Sequence, residues 1–369
     1  MSAPLFDLTL TEDQLMTRAS LQRFAQDVLR KHSREADEAA KAPADYYDRT
    51  LDLGLSLMPI PEEFGGAGAP RSPISNMLTV EDLAHGDMSL ALGAVTPLAF
   101  VNTLLDQGSK AQQEKYLPKV ADERFVAATI ALMEPRARFE VSELQTTAQK
   151  DGNDYVINGV KSMVALGESA ELLLVVATIS GEGPAAFIVE KGTAGVSYQK
   201  EETLGLRPLE LTRITFANVR VPAASKLGES EKAFDLQRLV DLSRIGICAL
   251  AVGACQAVLD YVVPYVNERT AFGEPIANRQ SVAFMVANIA IELEGMRLLT
   301  WRAASRAEQG LDFHKESYLA RVLCAEKAME IGTNGIQLFG GHGFIREHLV
   351  ELFYRNLRAI AILEGVAVI

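Results

Sequence analysis

Apolar residues along this chain change their spacing twice, and each change fixes what the segment can fold into. From residue 10 to about 120 they recur at helical spacing, as in EDQLMTRASLQRFAQDVLRK, with one break at 61–70, PEEFGGAGAP, where Pro and Gly punctuate the pattern. From about 124 the segments become short and β-branched: RFVAATIAL, DYVINGVKSMVA, LLLVVATI, AAFIVEK, VSYQKE and TRITFANVRVP. They are divided by KDGND, SGEGP and KGTAG, so this stretch reads as strands joined by turns. Beyond Pro222 the helical period returns over 230–265, 281–309 and 315–339, with Met285, Ile289, Leu293 and Met296 on one apolar stripe. Helices, then strands, then a helical bundle make an α+β arrangement.

At 369 residues, 48% hydrophobic and 23% charged, the chain has the balance of a globular protein of two or three domains. A net charge of −12 argues against nucleic acid or an anionic membrane surface as partner, because both require clustered Lys and Arg. The N-terminal MSAPLFDLTLTEDQ lacks a basic leader, and no run approaches the roughly 18 apolar residues of a membrane span. The expected location is cytoplasmic. Cys248, Cys255 and Cys324 are too few and too widely spaced for a disulfide framework or a zinc knuckle, and read as small buried hydrophobes. No metal site is expected. A di-iron bundle needs Glu three residues before His, and those positions hold Leu29, Asp82, Leu311, Phe339 and Ile345. GGAGAP and FGGHGF do not lie between a strand and a helix of a βαβ unit, so the dinucleotide fingerprint is excluded too.

Eight segments, in order, carry a resemblance: PEEFGGAG, the Glu-Pro of IALMEP, TTAQKDGNDYVINGVK, FANVRVPAASKLGE, SRIGICALAVGACQAVLDY, ERTAFGEPIANRQSV, QLFGGHGF and YRNLRAIAILEG. Together the chain resembles the acyl-CoA dehydrogenases over essentially its whole length. The resemblance implies an N-terminal α-helical domain over 1–122, a middle β-barrel or sandwich domain over 123–228 and a C-terminal four-helix bundle over 229–369. It implies FAD as cofactor, an acyl-CoA thioester oxidised to the 2-enoyl-CoA, an electron-transfer flavoprotein as acceptor, and a tetramer. The glutamate of LEGV, Glu364, falls at the family's proton-abstracting base, while the alternative base position holds Ser243. Glu364 sits among apolar residues, and an apolar pocket would raise its pKa toward that of a useful base. Arg269 and Phe272 resemble residues that reach the flavin of a neighbouring subunit, with the guanidinium suited to a pyrophosphate. Gln280, Gln337, Gly340 and Gly341 match the same partner-facing group. Asp241 and Arg244 fall where the family contacts acyl-CoA, or else form a helix ion pair. His342 reads as structural.

The departures are concentrated. Where the family has a Ser or Thr before Glu-Pro, a Gly-x-Gly-Ser-Asp loop and a Lys-x-Trp-Ile-Thr strand, this chain has Met133, then RARFE with Phe139 and Glu140 in the last two places, then KSMVA with Met163 and Ala165. The Thr after Glu-Gly is Val366. In the resembled fold these contacts belong to the subunit that houses the flavin, whereas Arg269, Phe272, Gln280 and the QLFGG loop belong to the one beside it. Three expectations stay open. The chain is one subunit of an α2β2 enzyme completing the FAD site of a paralogous partner, with Glu364 a relic or structural. Alternatively it is an active homo-oligomer using Glu364, or a non-catalytic acyl-CoA-binding scaffold. The family commonly continues into a further helix after this glutamate, where the present sequence stops at Ile369.

Overall fold

A computed structural model describes residues 9–228 and 233–369. The expected starts of the first and third domains, at 1 and 229, and of the helix expected from 230 lie outside the described residues. The chain opens with α1 (Glu12–Phe24), started by a capping box between Thr11 and Gln14. It runs through a π-helical stretch, Ala25–Arg30, into α2 (Lys31–Ala39). A short α3 (Tyr46–Leu51) precedes the PEEFGGAG break, which forms a 3-10 turn at Glu62–Phe64. Then follow α4 (Pro73–Gly86), with Ser72 as cap, α5 (Met88–Gln107) and α6 (Lys110–Val120).

Seven strands make the middle of the chain: β1 (Ala128–Ala131), β2 (Thr147–Asp151), β3 (Asp154–Ala165), β4 (Leu172–Ile179), β5 (Gly183–Glu190), β6 (Val196–Lys200) and β7 (Leu211–Pro222). They join in one sheet, ordered β1-β4-β2-β3-β7-β6 with β5 against β4. One edge of β4 is shared: Leu172–Val175 pair in parallel with β1, and Thr178–Ile179 with β2. The expected barrel or sandwich is thus realised as a single sheet wrapped over its own core of Tyr155, Ile157, Val175, Phe187, Ile214 and Phe216. β2 had no strand signal of its own, since only Ala148 of its five residues is buried.

The bundle comprises α7 (Leu236–Glu268), a hairpin of β8 (Thr270–Ala271) and β9 (Glu274–Pro275), then α8 (Gln280–Glu308), α9 (His314–Phe339) and α10 (Val350–Leu357). Ile289, Leu293 and Met296 of the expected stripe are buried and Met285 packs beside them. One expectation is corrected. α5 and α7 are long and apolar enough to cross a membrane by length and composition, but 94% and 78% of their most apolar windows are buried within the protein. α5 is a core helix buried along most of its length, and α7 is buried along most of its own, with Val263 and Glu268 exposed towards its C-terminal end.

The domains are tied by charge as well as by apolar packing. Asp37 of α2, 1% exposed, receives both forks of Arg355 from α10 (2.8 and 2.7 Å), and its backbone carbonyl accepts from Arg207 Nε of the middle domain (2.9 Å). A second buried carboxylate, Asp87, caps α5: one oxygen accepts the N–H groups of Ser89 and Leu90, and the other has no partner. Burial pushes this carboxyl up to about 6, against the two backbone N–H bonds and Arg30. The folded chain therefore holds the Asp87 proton more tightly than the unfolded chain. The stabilising contribution is complete below the unfolded carboxylate pKa and is lost as pH rises through about 6. Asp87→Asn keeps the cap without the desolvated charge. It is expected to be more stable than the parent above pH 6.5 by on the order of 1–3 kcal/mol, with the gap closing towards pH 4. Thermal unfolding of both proteins across that range checks this, and a gap independent of pH would contradict it.

Candidate functional site

The expected site residues fall into two groups. The first surrounds Glu364, which follows the 3-10 turn Arg358–Ala361 at the end of the bundle. Its carboxylate meets Arg244 of α7 (Nε to Oε2, 3.3 Å) and Arg321 of α9 (Nε to Oε1, 3.2 Å). Its N–H points at the Met133 sulfur, just past β1 (3.2 Å). Arg321 also donates to the carbonyls of Ile360 and, at 2.8 Å, Leu363. The expected apolar pocket around Glu364 is therefore corrected: two guanidiniums neutralise the carboxylate. Beyond it, Val366 to Ile369 are all buried, and Gly246 of α7 is the residue that lets Ala367 pass, because a Cβ there would collide with the Ala367 carbonyl.

Asp241 lies one turn before Arg244 on α7 and is buried. It accepts from Ser317 Oγ (2.8 Å) and Gln237 Nε2 (3.1 Å), and lies 3.0 Å from His314 Nδ1. The Arg244 guanidinium is 3.8 Å away, so the helix ion pair is present and most of the Asp241 acceptor capacity is directed to α9.

The second group lines a cleft of about 590 Å³ at the C-terminal end of α7, bounded by the β8–β9 hairpin, the start of α8 and the loop after α9. Arg269, Phe272, Gln337, Gly340 and Gly341 all line it, and Gln280 sits next to its wall residues Arg279 and Ser281. The Arg269 guanidinium has no ion-pair or hydrogen-bond partner among the described residues, nor do the carboxamides of Gln280 and Gln337. Arg279, by contrast, is held by Glu274 (3.1 Å) and lies over the Phe272 ring. Phe272 is 95% exposed. Gly340 has φ +55, and no atom lies within 4 Å of where a Cβ would stand on Gly340 or Gly341. An unpaired cation, two unpaired amides and bare backbone suit an anionic, hydrogen-bonding ligand approaching from outside the chain.

The opposite face of an FAD site does not fit as well. The Met133 sulfur is engaged by the Glu364 N–H. Met163 sits at a register shift of β3 with φ +56, and its N–H is taken by Glu201 (2.6 Å), which also accepts from Ser162 Oγ (2.8 Å). Ala165 and Val366 are buried, Glu140 pairs with Arg138, and the Phe139 ring faces Arg136. None of these side chains offers a free hydroxyl or ring N–H.

Sequence reasoning missed Arg321, although a signal was present. Ala320, Cys324 and Ala328 mark the buried face of α9, and a charge beside that stripe is out of place unless it is paired. It also missed Tyr265, which joins His342 in the cleft wall.

The helical, sheet and bundle units in this order define a three-domain α+β protein. Family models for the N-terminal, middle and C-terminal domains of acyl-CoA dehydrogenase match residues 11–124, 129–219 and 235–369. The chain is 32% identical to acryloyl-CoA reductase (NADH) of Anaerotignum propionicum, over 97% of this chain and 92% of that protein. The butyryl-CoA dehydrogenase structure from Megasphaera elsdenii superposes with a TM-score of 0.89 at 30% identity, covering 98% of this chain and 96% of that one. An FAD complex of PigA superposes equally well at 25% identity, over 97% and 95% of the two chains. The chain belongs to the acyl-CoA dehydrogenase family, whose cofactor is FAD and whose reaction is the α,β-dehydrogenation of acyl-CoA thioesters.

Removing the Arg321 guanidinium leaves two buried carbonyls unsatisfied and Glu364 with one partner. Arg321→Met is expected to cost about 3–5 kcal/mol in the first urea unfolding transition, and a loss under about 1 kcal/mol would contradict the clamp.

Proposed function

We propose that this chain takes part in FAD-linked α,β-dehydrogenation of an acyl-CoA thioester as the subunit that completes the flavin site of a paralogous partner in an α2β2 tetramer. The observation that carries this reading is the asymmetry of the two groups. The outward cleft keeps an unpartnered guanidinium, free carboxamides and accessible glycine backbone, while the inward positions present thioethers, an alanine and carboxylates already engaged. The chemistry that FAD supplies in this family is acceptance of the β-hydride. Here Arg269 would pair with the pyrophosphate of the partner's cofactor, Gln280 and Gln337 would donate beside it, Gly340 and Gly341 would allow close backbone approach, and Phe272 would bury its exposed ring against the partner. Glu364 would serve as an anchor for the C-terminal segment, with Arg244 and Asp241 tying that anchor to α7 and α9. By similarity to the family, electrons would pass to an electron-transfer flavoprotein. The acidic surface and the burial of α5 and α7 favour a cytoplasmic enzyme with no membrane or nucleic-acid partner.

The test uses the complex with a paralogue that carries the Ser, Trp and Thr positions this chain lacks. A charge-assisted hydrogen bond contributes roughly 1.5–3 kcal/mol, or about 10- to 100-fold. Arg269→Ala should therefore weaken FAD retention by at least tenfold, while Glu364→Gln in this chain should leave turnover within about twofold. Retained flavin in the first variant, or lost turnover in the second, would overturn the lending role.

A further inference from the structure

The loop that would approach the partner's flavin holds a single short 3-10 turn, and side chains of α7 pack against it. It begins where α9 ends at Phe339, passes through Gly340 at φ +55 and ψ −130, and makes a 3-10 turn over Gly340–Phe344 before reaching Leu349. That Gly340 conformation is open to glycine and strained for other residues. The helix stops at this glycine, and Gly343 lets the turn lie close to α9, where a Cβ would collide with the Ile336 carbonyl oxygen.

Two tyrosines one turn apart on α7 reach this loop. The Tyr265 ring stacks on Phe339, with centroids 3.8 Å apart and planes inclined by 15°. Its hydroxyl lies 2.8 Å from His342 Nδ1 and 3.3 Å from the Phe339 carbonyl oxygen. A phenol has one proton, so both contacts are satisfied in one arrangement: His342 Nδ1–H donates to the Tyr265 oxygen, and Tyr265 donates to Phe339. Tyr261 repeats the device at the other end of the loop. Its hydroxyl is 3.2 Å from His348 Nδ1 and accepts the Leu349 N–H at 3.4 Å. The two imidazoles lie 5.5 Å apart and the Phe339 ring lies 4.9 Å from His348, closing the cluster.

We propose that Tyr265 and His342 act as a positioning pair, holding the Gly340–Gly341 backbone in the shape that the partner's cofactor meets, with Tyr261 and His348 fixing the far end. This deepens the lending role and rests on it. Neither residue needs to touch the cofactor. The hydroxyl that selects the loop conformation faces Phe339 and His342, whereas the free guanidinium of Arg269 supplies the charge.

The experiment measures the rate of FAD release from the co-expressed complex, followed by flavin fluorescence, for variants of this chain. Tyr265→Phe keeps the stacked ring and loses only the hydroxyl. It is expected to speed release by about 5- to 20-fold, the size of one hydrogen bond. His342→Ala should do the same, whereas His342→Asn, whose amide N–H can stand in for Nδ1–H, should restore release to within about twofold of the parent. Loss of ring packing alone would not be rescued by Asn over Ala, because at this half-buried position the amide restores a donor to Tyr265 and not the imidazole's bulk. Parental release rates for Tyr265→Phe and His342→Ala, or equal rates for Ala and Asn at position 342, would overturn the proposal. If Arg269→Ala sheds flavin while the Tyr265 and His342 variants do not, the positioning pair alone is wrong. If Arg269→Ala also retains flavin, the lending role itself fails.

Discussion

A guanidinium placed in a protein interior must have its donors filled, and Arg321 does so in a way that organises the junction of sheet and bundle. It binds the carbonyls of Ile360 and Leu363 and the carboxylate of Glu364, which fixes the turn after α10 against α9. Once that turn is fixed, Glu364 faces Arg244 on α7 and its N–H faces Met133 beyond β1. The segment after it then threads past Gly246 into contact with α5, where Asn102 Nδ2 donates to the Val368 carbonyl (3.0 Å). A buried cation is expensive unless its partners are in place, so the stability of this cluster depends on all three acceptors of Arg321. In this chain the residue resembling a catalytic base is bound into that cluster.

The same economy explains why the two candidate regions differ in character. Around Glu364 the guanidiniums are matched: Arg321 has three acceptors, Arg244 is shared between Glu364 and Asp241, and Asp241 is filled mostly from α9, while the buried Ser243 hydroxyl beside Arg244 has no partner. At the end of α7 the opposite holds. Arg269 and Gln337 line the cleft without partners among the described residues, Gln280 beside its wall is also unpartnered, and the glycine backbone is bare. Inward groups matched to one another define a structural core, and outward groups left unmatched define a surface for a ligand or a neighbouring subunit.

The broad architecture was legible because hydrophobic period is a local property. β3 begins after Gly152-Asn153 and β4 ends before Ser180-Gly181, where their apolar runs meet turn residues, and the stripe from Ile289 to Met296 faces the core. Features that depend on distant partners were not legible. β2 is edge-like in composition and becomes a strand only through pairing with β3 and β4. The register shift that gives Met163 its positive φ has no sequence mark. Glu364 looks apolar in its neighbourhood because its two partners are 120 and 43 residues away in sequence. No unbroken apolar run marks α5, yet its mean hydropathy is high enough for a membrane span, and hydropathy does not record that the surrounding medium here is protein. In the cleft, the resemblance to the family implied a common surface for residues 269, 280, 337, 340 and 341, but that Arg269 has no partner among the described residues is a property of the folded chain.

The most direct test of the lending role is the ratio of flavin to protein, taken by absorbance on this chain expressed alone and again after co-expression with a paralogue that carries intact flavin-facing Ser, Trp and Thr positions. Little or no FAD on the chain alone, with about one FAD per two chains in the complex, is the expected result. About one FAD per chain when the protein is expressed alone would contradict it and would mean that Met133, Met163 and Ala165 line a working flavin site.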